Sequence, residues 1–149
     1  MVSKNARGLF VTLAVIALPA CTHNAASATA PSAAVVPSAV ITSGTWNLQS
    51  LAVTGSPVVT TSEEQFTMRL ADDGAIALKV DCNRGAGSYT LSGNTLSVGP
   101  LATTKAYCAS APLDDQFLGL ISGASVVTAN ATTLSMSSPR GTLIFAATR

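Results

Sequence analysis

Between residues 66 and 80 the chain alternates strictly. Phe66, Met68 and Leu70 are interleaved with Thr67 and Arg69, Asp72-Asp73-Gly74 follows, and Ile76, Leu78 and Val80 are then interleaved with Ala77 and Lys79. A period of two sends successive side chains to opposite faces, and Asp-Gly between two such runs is a strong short-range hairpin signal. The pattern recurs: Tyr89 and Leu91 lead into Ser92-Gly93-Asn94 and return through Leu96 and Val98, while Leu134 and Met136 face Leu143 and Phe145 across Pro139-Arg140-Gly141. Trp46, Leu48 and Leu51 supply an opening strand. A chain of half-dry strands must bend its sheet to bury one face, so these inward residues are the expected core.

One segment departs from this period. From Pro112 to Ser122, Leu113, Phe117, Leu120 and Ile121 stand at i, i+4, i+7 and i+8. Pro112 suits a first helical turn, Asp114 and Asp115 lie near its positive end, and Gly123 stops it. The spacing predicts a short amphipathic helix held by docking, because Gly119 inside it costs about 1 kcal/mol against Ala. The expected fold is mainly β (α+β): a compact bent antiparallel sheet or partial barrel with one short helix, spanning residues 44–149 as a single small domain.

The N-terminus gives an address. Lys4 and Arg7 precede an apolar run from Leu9 to Leu18, and Leu18-Pro19-Ala20 leads into Cys21. A basic start, a short greasy segment and small residues before a cysteine read as a bacterial lipoprotein signal over residues 1–20, with Cys21 as the acylated first residue. Ten apolar residues rise only about 15 Å as a helix, half of a roughly 30 Å hydrocarbon core, so a permanent transmembrane anchor is not expected. Several acyl chains on one cysteine hold a protein stably, and Thr22 rather than Asp after it points to the outer membrane, facing the periplasm. Ala26-Ser27-Ala28 offers an alternative cleavage site, which would release a soluble periplasmic or secreted form.

Residues 21–43 are mostly Ala, Ser, Thr, Val and Pro without fixed charge, and read as a tether. A flexible coil of that length spans roughly 25 Å. His23, the sole histidine, falls there, which removes it from any catalytic or metal site in the domain. Without Lys4 and Arg7, six basic residues face seven acidic ones, so there is no basic stripe for nucleic acid. With Cys21 assigned to lipid, Cys82 and Cys108 remain in an oxidising compartment, where a bridge between them is the expected outcome. The alternative is a reactive thiol at Cys82, for which the domain offers no histidine base.

These residues also carry a resemblance. Trp46-Asn47-Leu48, Cys82-Asn83-Arg84-Gly85-Ala86-Gly87-Ser88-Tyr89, Gly93 to Leu96, Thr104-Lys105-Ala106-Tyr107-Cys108, Phe117-Leu118 and Leu143-Ile144-Phe145 stand in the order and spacing of the META domain, the fold of HslJ-like heat-shock lipoproteins. Two positions depart from the pattern: Asp81 replaces the usual Gly before the first cysteine, and Ala106-Tyr107 stands where Met-Ala is commoner. The resemblance implies a non-enzymatic envelope protein, linked within the family to heat shock, antibiotic tolerance or motility.

The residues themselves point the same way. There is no Ser/His/Asp set, no metal-ligand spacing and no phosphate loop, so neither a cofactor nor a metal is expected. Asp72-Asp73-Gly74 reads as a turn rather than a calcium loop, and Asp114-Asp115 as helix-start acids rather than a glycosidase pair. The candidate binding residues are Asn83, Arg84 and Gly85 in a Gly-rich turn pinned at Cys82. Asn83 and the glycines have a structural reading, through backbone hydrogen bonds and unusual dihedrals, and Arg84 a binding one. The expected partners are the membrane, through the N-terminal lipid, and an unidentified envelope protein or ligand. A second reading is an inhibitor of a lysozyme or protease that plugs its target's cleft with the loop Gly55 to Glu64.

Overall fold

A computed structural model of the chain describes residues 35–62, 65–108 and 111–148. The signal segment, Cys21 and the tether as far as residue 34 lie outside the described residues, as do Glu63 and Glu64 of the loop considered for inhibition.

The elements run α1 (Ser38–Ile41), β1 (Thr45–Val53), β2 (Val59–Thr60), β3 (Phe66–Leu70), β4 (Ala75–Val80), β5 (Asn83–Ser92), β6 (Thr95–Val98), β7 (Ala102–Thr103), α2 (Ala111–Ile121), β8 (Gly123–Ala129), β9 (Thr133–Ser138) and β10 (Gly141–Ala147). Strands β1, β3, β4, β5, β6, β8, β9 and β10 pair antiparallel in that order, and β10 returns to β1 with Trp46 opposite Ala147, so the sheet closes into a barrel. Closure removes the free edges that a bent open sheet would leave. The register of β1 against β10 shifts between Leu48 and Ser50, a bulge at which β1 changes its other neighbour from β3 to β2.

Alternation accounts for the packing. β4 is buried at Ile76, Leu78 and Val80 and exposed at Ala75, Ala77 and Lys79, and β3, β9 and β10 bury Phe66, Met68, Leu70, Leu134, Met136, Leu143 and Phe145. Each such side chain removed from water stabilises the fold by about 2 kcal/mol. Helix α2 covers part of this core: Phe117 is fully buried, with ring centroids 5.2 Å from Phe66 and 6.4 Å from Phe145. Trp46, also buried, donates its indole N–H to the carbonyl of Ile41 at 2.8 Å.

That bond marks one difference from the sequence reading. Val36 and Ile41 are buried and α1 packs into the barrel, so the folded unit takes in residues assigned above to the tether. The apolar side chains of Val36, Val40 and Ile41, scattered among Ala and Ser, carry no period that would announce this. A second difference is β8, whose inward residues are Ser125, Val127 and the partly buried Ala129, two of them small, so that the alternation is hidden.

The third concerns the candidate site. Asn83 to Gly87 form no turn; they open β5, paired with β4 from Val80↔Asn83 to Ile76↔Gly87. The turn is Asp81-Cys82, and Asp81 carries the left-handed backbone (φ 54°) that glycine adopts freely and Asp only at some cost. The glycines provide space rather than unusual dihedrals. A Cβ on Gly87 would lie 2.7 Å from the Pro100 carbonyl oxygen, and one on Gly85 would lie 3.3 Å from Leu78 and Thr103, so both let the segment after β6 cross close to β5.

Candidate functional site

β5 serves two partners. Its second half pairs with β6 and its first half with β7, at Gly85↔Thr103 and Ala86↔Ala102. Beyond Thr103 the ladder is continued by side chains. Thr104 donates its N–H to the Arg84 carbonyl at 3.0 Å, and its hydroxyl accepts from the Arg84 N–H at 3.0 Å. Asn83, buried, then takes over: its Nδ2 donates to the Ala106 carbonyl (3.1 Å) and to Cys108 Sγ (2.9 Å), while its Oδ1 accepts from the Ala106 N–H (2.7 Å) and the Thr104 hydroxyl (2.9 Å). One amide side chain thereby replaces the missing strand neighbour for three residues.

A covalent bond completes the clasp. Cys82 and Cys108 form a disulfide with Cα atoms 5.7 Å apart, joining the β4–β5 turn to the end of the crossing segment. Thr104 to Cys108, which has no regular secondary structure, is therefore fixed at both ends. At its far end Tyr107 is 97 % exposed. A large aromatic side chain left almost wholly in water on a fixed backbone keeps its full apolar area available for a contact.

Of the three candidate binding residues, the structure separates one from two. Asn83 is spent on the crossing segment and Gly85 faces inward against Leu78 and Thr103, whereas Arg84 projects outward and is exposed. Tyr107 was not a candidate from sequence, although the signal is there as an aromatic between Lys105 and Cys108 in an otherwise small and polar stretch.

A polar cavity of about 170 Å³ lies beside the clasp, between Asn83, Thr104, Lys105, Asp114 and Asp115. Asp114 stands in the first turn of α2, as its reading as a helix-start acid expects, but it is buried and its Oδ1 has no hydrogen-bond partner among the described residues. Burial raises its pKa above the ordinary 3.8, the charges of Asp81 and then Asp115 push the same way, and a hydrogen bond from Asn83 opposes them. Asp115 beside it is exposed, so the two carboxyls occupy different environments. Asp72-Asp73-Gly74 is a hairpin turn, with the Asp73 carboxylate accepting the Ala75 N–H at 3.0 Å and Gly74 at φ 84°. The loop considered for inhibition is partly drawn onto the barrel, since β2 pairs with β1 and the Thr61 N–H bonds the Gln49 carbonyl; Ser56 to Val58 remain exposed.

Comparison with known proteins places this architecture. No curated protein sequence matches the chain. Among solved structures, the NMR structure of a protein from Burkholderia xenovorans superposes with a TM-score of 0.62 at 22% identity, over 89% of this chain and 100% of that one. A second NMR structure gives 0.58 at 23% identity, over 75% and 95% of the two chains. The crystal structure of a duf4847 family protein from Bacteroides vulgatus gives 0.52 at 12% identity, over 72% and 93%. At these identities the likeness is one of fold. The META domain pattern matches residues 39–149, which begins at α1 and takes in all ten strands, and the chain belongs to the META domain family.

Proposed function

We propose that this protein is a lipid-anchored envelope protein whose META domain binds a partner without transforming it. The recognition element is the clasped edge from Thr104 to Cys108, with Arg84 alongside. The observation that carries this reading is Tyr107, 97 % exposed on a backbone held by a disulfide and by four hydrogen bonds of Asn83. Holding an aromatic side chain outward on a rigid frame lowers the ordering cost of binding, and tyrosine and arginine are the residues that most often dominate interfaces. The Leu18-Pro19-Ala20-Cys21 segment supports attachment through Cys21, and the family is compatible with an envelope or stress-related role.

The test uses the full-length chain. Tyr107→Ala removes no internal contact, so its melting temperature should equal that of the wild type, while affinity for the envelope partner falls about 30-fold. Arg84→Ala behaves the same way with a smaller loss. Unchanged capture by both variants would refute the edge as the recognition element. Separately, the wild type should incorporate labelled palmitate in cells and Cys21→Ser should not; absence of label from the wild type would refute the lipid anchor.

A further inference from the structure

The strand register assembles a charged face that the linear sequence disperses. On the outward side of β3, β4 and β5, Lys79 stands directly opposite Arg84, and Arg69 stands opposite Ala77, one diagonal step from Lys79. All three cations are exposed, and none makes an ion pair or side-chain hydrogen bond among the described residues. Like charges facing each other across a ladder, with Cβ atoms roughly 5 Å apart, repel and weaken the pairing. The carboxylates nearest in sequence, Asp72, Asp73 and Asp81, sit in the turns at the two ends of β4 rather than between the cations. Among the described residues, the face therefore carries positive charge that no ion pair offsets.

Its remaining surface narrows the partner. Between the cations the outward residues are Thr67, Ala77, Ala86 and Thr104, and the small side chains leave a depression of about 530 Å³ beside Arg84. Among the described outward residues of β3, β4 and β5 there is no exposed aromatic or large aliphatic side chain to serve as the anchor on which a protein interface relies; the exposed Tyr107 belongs to the clasped edge beyond Thr104. A layer of anionic headgroups needs no such anchor, because each Lys or Arg within reach of the phosphates contributes separately. We propose that the outward face of β3, β4 and β5, centred on Lys79 and Arg84, docks the barrel onto an anionic phospholipid surface through headgroup phosphates. This goes beyond the binding role of the clasped edge and stands without the lipid anchor.

Flotation with lipid vesicles tests it, using the full chain carrying Cys21→Ser so that no acyl group contributes. Every variant keeps residues 1–20, whose Lys4, Arg7 and apolar run add the same attachment to each, so the difference between the face variants and the control is what reports on the face. The expected result is tighter binding to vesicles containing phosphatidylglycerol than to phosphatidylcholine alone, lowered about five-fold by Lys79→Gln, about five-fold by Arg84→Gln and about 25-fold by both. Arg140→Gln, the same change of net charge at the β9–β10 turn across the barrel from β4, should leave binding within about two-fold. Because the two substitutions relieve repulsion, neither should lower the melting temperature. No preference for anionic vesicles, or an equal loss with Arg140→Gln, would overturn the proposal. Displacement by millimolar inorganic phosphate alone would replace the bilayer with a free-phosphate site and also overturn it. Loss of a cross-linked acidic protein in the double variant, with vesicle binding unchanged, would overturn it in favour of a protein partner and leave the clasped-edge reading intact.

Discussion

Removing the disulfide should expose how much of the stability of this small barrel is covalent. The bond closes a loop with a sequence separation of 26 residues. In the chain-entropy description, a loop of that length restricts the unfolded chain by about 3.5 kcal/mol at 25 °C. Roughly 110 folded residues unfold with an entropy of about 0.23 kcal/mol/K, so Cys82→Ala with Cys108→Ala should lower the melting temperature by about 15 °C. The loss should be felt locally as well. Thr104 to Cys108 is tied to β5 otherwise only by Asn83 and Thr104, so its amide protons should exchange faster in the variant at temperatures where the β3, β4 and β10 amides remain protected. Calorimetry of both proteins, thiol titration of the native wild type and hydrogen exchange together decide the matter. A fall of less than about 4 °C, or two titratable thiols in the native protein, would show that the bridge does not carry this share of the stability.

Three further substitutions follow from the backbone and the buried acid. Gly141→Ala should destabilise by about 3 kcal/mol or more, since φ is 150° and a Cβ would collide with the Ala52 carbonyl and come within 2.8 Å of Leu120, whereas Gly119→Ala, with open space around it in α2, should stabilise by about 0.8 kcal/mol; similar urea midpoints for the two would contradict this. Asp81→Gly should stabilise by about 0.5–1 kcal/mol, the relief of left-handed strain outweighing the added freedom of the unfolded chain, and a lower melting temperature would show that the Asp81 side chain contributes more than its backbone costs. For Asp114 the folded pKa is raised, so the native state holds its proton to higher pH than the unfolded chain does; the associated stability is fully present below the ordinary 3.8 and is lost as pH rises through the raised value. Asp114→Asn should therefore gain on the wild type as pH rises from the acid range to neutrality, and a difference in melting temperature that is constant with pH would contradict the burial of this carboxyl.

Much of the barrel is written in the alternation of Phe66 to Val80, Tyr89 to Val98 and Leu134 to Phe145, because each strand has one wet and one dry face. Closure is not. The pairing of Trp46 with Ala147 joins the two ends of the domain, and no local period reports a contact over that separation. The glycines of Asn83 to Gly87 mislead for a related reason: their value lies in the room they leave for Pro100 and Leu101, which arrive from elsewhere in the chain. In the same way the exposure of Arg84 is visible from β alternation once the turn is placed at Asp81-Cys82, and that placement alone sets Lys79 opposite it. Asp114 looks like any acid in a first helical turn until the clasped segment covers it.

In the proposed function, Tyr107 faces a partner from a fixed edge. A photo-reactive amino acid at residue 107, compared in intact cells with one at Val126, which is 56 % exposed on β8, tests this most directly. A discrete adduct is expected from position 107 and absent from position 126. No adduct from 107, or the same adducts from both positions, would contradict it.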